Sequence, residues 1–110
     1  MKHRYGEFNQ NQIVETKKKI RNQIFFLLLI VDPETSSKFG DIDVPDAIEN
    51  VLYTLGGMND LLFCPPEIVR VLSLINAAYL EYQKDNFEWG VYRKLILDAG
   101  NEVLKIKEVE

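Results

Sequence analysis

This 110-residue sequence predicts an all-α fold, a four-helix antiparallel bundle, on three observations. Apolar residues recur at helical spacing over long stretches. Prolines and small polar residues stand where helices should begin and end. Only Ile24–Val31 and a weak segment, Val103–Val109, offer themselves as strands, and a sheet needs more than that.

The first ten residues are polar with scattered aromatics, and they read as a loose N-terminal arm or the frayed start of a helix. The first helix is expected over about 11–31. Ile13, Val14, Ile20 and Ile24 give its first half one apolar face. Its second half is apolar all round, as in a helix buried on more than one side. Asp32-Pro33 should stop it, because a residue before proline avoids helical geometry. Residues 32–43 form an acidic loop broken by Pro and Gly.

The second helix is expected over about 44–62, capped by Asp43, with Pro45 in its first turn and Asp46 at its positive end. Val44, Ile48, Val51, Leu55, Met58 and Leu62 follow one another at intervals of three and four, a seam for packing on another helix. Gly56-Gly57 interrupts that seam, and a kink or short break is expected there. Phe63-Cys64-Pro65-Pro66 makes a corner, with Cys64 read as a buried small hydrophobe beside the turn. The third helix, about 66–83, shows little polar face and should be central, buried on several sides. The fourth, about 87–107, is expected to be capped by Asp85 or Asn86, with Lys105 and Lys107 at its negative end.

Charge is unevenly spread along the chain. Residues 1–31 hold six Lys/Arg against two Asp/Glu, residues 32–64 hold one against seven, and the whole is −4. A basic first segment and an acidic middle should attract each other within the fold or across a dimer. The longest apolar run, Ile24–Val31, is far short of the roughly 20 residues that span a bilayer as helix. It also lacks a signal-peptide cleavage pattern, so a cytoplasmic protein is expected.

Catalytic chemistry finds few residues to work with. His3 is the single histidine and Cys64 the single cysteine, so neither a His-based metal site nor a Cys–His pair can be built on the helices. Asp41, Asp43 and Asp46 alternate loosely, but the glycine and terminal glutamate of a calcium loop are missing. Asp98 and Glu102, with Lys94 and Lys105 around them, read as a solvated, salt-bridged face. No cofactor is implied.

Two clusters remain as candidate sites. Tyr79, Tyr82, Phe87, Trp89 and Tyr92 gather at the corner between the third and fourth helices. They suit either a partner-binding patch or the sealed end of a helical hairpin. Lys17, Lys18, Lys19 and Arg21, with Lys2 and Arg4 upstream, are the candidate phosphate contacts. The expectation is a non-enzymatic helical protein–protein interaction module that binds another protein, itself as a homodimer, or both. The alternatives are a nucleic-acid-associated regulator using segment 17–21, and a small-ligand-binding bundle with a pocket near Trp89 and Gly56-Gly57. The net negative charge disfavours nucleic acid.

Overall fold

The computed structural model describes residues 2–3, 5–7, 9–62 and 64–106. Four helices carry the fold: α1 Gln10–Leu29, α2 Val44–Leu61, α3 Pro66–Tyr82 and α4 Trp89–Val103. They pack as a bundle of 43 × 23 × 20 Å, in the order α1–α2–α3–α4 around the ring, with α4 returning against α1. Every neighbouring pair is antiparallel. Lys17 near the start of α1 reaches Leu104 and Ile106 beyond α4, while Leu27 near its end meets Tyr92 at the start of α4.

Part of the N-terminal arm takes on secondary structure. Lys2–His3 (β1) and Gly6–Glu7 (β2) form a two-stranded antiparallel hairpin, and Met1, Arg4 and Phe8 lie outside the described residues. Asn9 then caps α1. Its side chain accepts from the Gln12 amide at 2.8 Å, and the Gln12 side chain accepts from the Asn9 amide at 2.9 Å. This reciprocal pair satisfies two otherwise orphaned donors and fixes the helix start at Gln10. Ile20, Ile24 and Leu27 of α1 are buried, each contributing about 1.5–3 kcal/mol of transfer free energy.

Ile24–Val31 is helical as far as Leu29, with Ile30 as the cap residue, so no strand forms there. The end comes two residues before Val31, and the amides of Val31 and Asp32 still bond back to the Leu28 carbonyl, so the helix runs out through a turn into Pro33. Inside the acidic loop, the Thr35 hydroxyl donates to the Leu29 carbonyl at 2.7 Å. A short 3-10 turn, Ser36–Phe39, sets the Phe39 ring edge-on to Phe26, centroids 5.4 Å apart. The loop is thereby tied to α1 by one hydrogen bond and one ring.

Asp43 caps α2 as its position suggests, accepting from the Asp46 amide at 3.0 Å. Ile48, Val51 and Leu55 of the seam are buried. The expected break at Gly56-Gly57 is absent: α2 runs through both glycines. Packing on both sides of the pair outweighs a propensity cost of about 2 kcal/mol for two glycines. Cys64 is exposed rather than buried, and its φ of 57° puts it in the left-handed region. The corner before Pro65 turns on this residue, which leaves the thiol on the outside; Phe63 lies outside the described residues.

In α3, Ile68, Val71, Ile75 and Ala78 are buried, but Val69 and Leu80 stand in solvent. The helix packs mainly against α2 and α4, and part of its surface stays open. Helix α4 begins at Trp89 with Glu88 as cap residue; neither Asp85 nor Asn86 caps it. The Glu88 amide donates instead to Glu81 on α3 at 3.3 Å, which pushes the start of α4 past the turn. Lys107 lies outside the described residues.

Candidate interaction surface

The aromatic cluster divides. The rings of Tyr82, Phe87 and Trp89 stand 6.3, 5.8 and 5.9 Å from that of Tyr92, and Tyr82 meets Phe87 edge-on at 5.5 Å. Tyr92 is fully buried, and its hydroxyl donates to the Leu27 carbonyl at 2.9 Å. Burial, and then Tyr82, pushes its phenol above the ordinary range. These four rings close the α3–α4 hairpin and fasten it to α1. Tyr79 stands apart and donates to Glu49 of α2 at 2.8 Å, a bond that raises its own phenol.

The basic cluster divides too. Lys17 is only 8% exposed, and its ammonium donates to the carbonyls of Leu104 at 3.2 Å and Ile106 at 2.8 Å. A lysine here neutralises the negative end of α4 and satisfies carbonyls that the helix leaves open. Arg21 donates through Nε to the Gly100 carbonyl at 3.2 Å and lies 5.0 Å from the centre of the Phe25 ring. Lys18 and Lys19 alone point outward, beside Glu15 and Asn22. Arg4 lies outside the described residues.

Two carboxylates are buried near the α3–α4 seam: Glu102, expected on a solvated, salt-bridged face, and Glu81, which the sequence did not single out. Glu102 is 7% exposed, bonded by Arg70 from α3 and by Lys105 at 3.1 Å. Arg70 first, then Lys105, holds its carboxyl below the usual glutamate value against the opposing pull of burial. It is therefore not part of a solvated face, although Lys94 and Asp98 do pair in the open at 2.9 Å. Glu81, also buried, is held low chiefly by Lys84 at 2.8 Å. The Arg70–Glu102 pair ties α3 to α4, and Glu81 reaches the start of α4 by accepting from the Glu88 amide. Among the described residues, no group of three His, Cys, Asp or Glu side chains is placed to hold a metal ion.

What stays open is the seam between α1 and α2. These helices make the thinnest contact of the four neighbouring pairs. Between them lies a groove of about 240 Å³ floored by Phe26, Leu27, Ala47 and Val51, with Gln23, Asn50 and Thr54 along its edges. The polar edge residues explain the gap: they keep water and so do not draw the helices shut. The groove continues along the outer face of α1 through Gln23 and Phe26 to Lys19. Neither it nor a shallow depression over Leu52 and Leu72 is lined by Trp89, Gly56 or Gly57.

Next to the groove, on the outward face of α2, Tyr53 is 84% exposed. Within the described residues, no helix is long and apolar enough to cross a membrane. No protein-family model, no curated protein and no solved structure matches this chain.

Proposed function

We propose that the chain is a non-enzymatic helical module that acts by binding protein, and that the protein it binds first is a second copy of itself. The observation that carries this reading is the open α1–α2 seam, an apolar floor with polar edges beside an almost fully exposed tyrosine. Apolar floor, polar rim and an aromatic anchor are the parts of a protein interface. The polar groups that chemistry would use are engaged elsewhere: Glu102 and Glu81 in ion pairs, Lys17 and Arg21 on carbonyls of the α4 end. The latter two bonds also remove half of the cluster that a nucleic-acid reading depends on.

Light scattering coupled to size exclusion tests the proposal. A particle of twice 12.8 kDa at about 100 μM is expected. A strict monomer at that concentration refutes self-association.

A further inference from the structure

Helix α4 ends at Val103, but the chain does not leave the bundle there. Leu104, Lys105 and Ile106 continue as a turn whose amides bond back to the carbonyls of Asn101, Glu102 and Val103. The turn faces both ways: Leu104 is 55% exposed and Ile106 only 5%. Ile106 enters a slot at the end of the bundle, lined by Ile13 and Ile20 of α1 and by Met58 and Leu62 of α2. About 10 Å³ there stays unfilled, the room of a single water at most. Further along α1 the same two helices stand apart, and the groove over Phe26 and Val51 is open. Ile106 is therefore a wedge from a third element, completing the core where α1 and α2 do not close on each other.

The Lys17 ammonium holds the turn in place from α1, donating to the carbonyls of Leu104 at 3.2 Å and Ile106 at 2.8 Å. Lys105 bonds back to Glu102 at the same end of α4, so it stiffens the turn without tying it to α1. Lifting the turn withdraws one aliphatic side chain and breaks those Lys17 bonds. No backbone hydrogen bond of α1, α2 or α3 has to break. Segments held in this way open at a lower free energy than the helices they rest on.

We propose that residues 104–106 are a latch that opens while the four helices stay folded, and that its opening uncovers the aliphatic slot between α1 and α2. The latch lies within one chain, so it operates whether or not copies associate.

Thiol labelling in a Cys64→Ser background tests this. Ile20→Cys places a thiol under the latch, and Ile75→Cys places one in the buried middle of α3, away from the slot. Without denaturant, the first should react at least about tenfold faster than the second. Its rate should stay flat at low urea while the second climbs steeply, because the latch exposes little surface and global unfolding exposes much. Adding Ile106→Ala to Ile20→Cys should raise its labelling about tenfold or more, with the helical circular dichroism retained. Leu62→Cys, on the α2 wall of the slot, gives the same reading if Ile20→Cys does not fold. Labelling at position 20 that tracks position 75 at every urea concentration overturns the latch. Flat labelling at position 20 that ignores Ile106→Ala overturns it too, since the opening then lies elsewhere.

Discussion

Three glycines in helices should respond in opposite directions to one substitution. At Gly56 and Gly57 a Cβ would meet nothing within 4 Å. Alanine there gains about 1 kcal/mol per site in helix propensity and removes backbone freedom from the unfolded chain. At Gly100 a Cβ would lie 2.3 Å from Cε1 and 2.5 Å from Cζ of Phe25. Carbon atoms pack at about 3.5–4 Å, so the ring must shift by more than 1 Å. Arg21 lies over that ring and bonds the Gly100 carbonyl, so the shift disturbs both contacts. Overpacking of this kind costs about 1–3 kcal/mol and exceeds the propensity gain of about 1 kcal/mol. Gly57→Ala should therefore be stabilised by about 1 kcal/mol and Gly100→Ala destabilised by about 1 kcal/mol. In a domain of this size, that gap separates their melting temperatures by about 8 °C. Thermal unfolding by circular dichroism reads it directly. Phe25→Leu should relieve the clash, so that Gly100→Ala becomes stabilising in that background. Equal stabilisation by Gly57→Ala and Gly100→Ala with Phe25 present would refute the packing of α1 on α4 described above.

Four other outcomes follow from single contacts. Lys17→Met keeps the buried stem but leaves the Leu104 and Ile106 carbonyls without their charged donor; urea unfolding should show a loss of about 2 kcal/mol. Tyr92→Phe removes one buried bond to Leu27 and should cost about 1 kcal/mol, with the near-ultraviolet signal of the remaining rings retained. Glu102 is held below the ordinary value of 4.5 in the folded state, first by Arg70; its stabilisation is complete above that value and is lost as pH falls through the lower folded-state one. Glu102→Gln should therefore flatten the acid limb of a stability profile, and an unchanged slope would remove Glu102 from acid unfolding. Cys64, exposed at its corner, should react with a thiol-specific disulfide reagent in the native protein as fast as in denaturant.

The helices were legible where local chemistry and periodicity agree. Asp43, Pro45 and the Val44–Leu62 seam identify α2, and the structure adds only that Gly56-Gly57 does not interrupt it. Boundaries shifted where a tertiary contact chose between local signals. Asp85 and Asn86 are both good cap residues, yet the bond from the Glu88 amide to Glu81, seven residues upstream, places the start of α4 later. At the other end of the chain, Asn9 and Gln12 form a capping box, a local signature written in the sequence and still hidden there by the polar run around it.

The candidate site was harder to read, because charge in a sequence does not say which way a side chain points. Four consecutive-looking basic residues, Lys17, Lys18, Lys19 and Arg21, split by helical phase. Residues 17 and 21 are four apart and share the flank that meets α4, whereas 18 and 19 turn to solvent. Phase does not separate Asp98 from Glu102, which are also four apart; Glu102 is covered by Arg70 of α3, while Asp98, one turn earlier, stays half exposed with Lys94. Polar residues here serve mostly to fasten helices to one another at their ends. The α1–α2 seam is different: its polar residues Gln23, Asn50 and Thr54 line an opening instead of crossing it. Rings and ion pairs tie α3 to α4, Lys17 and Arg21 tie α4 to α1, and the Tyr79–Glu49 bond ties α2 to α3, whereas the α1–α2 seam stays open over an apolar floor, and covering such a floor is one way binding gains free energy.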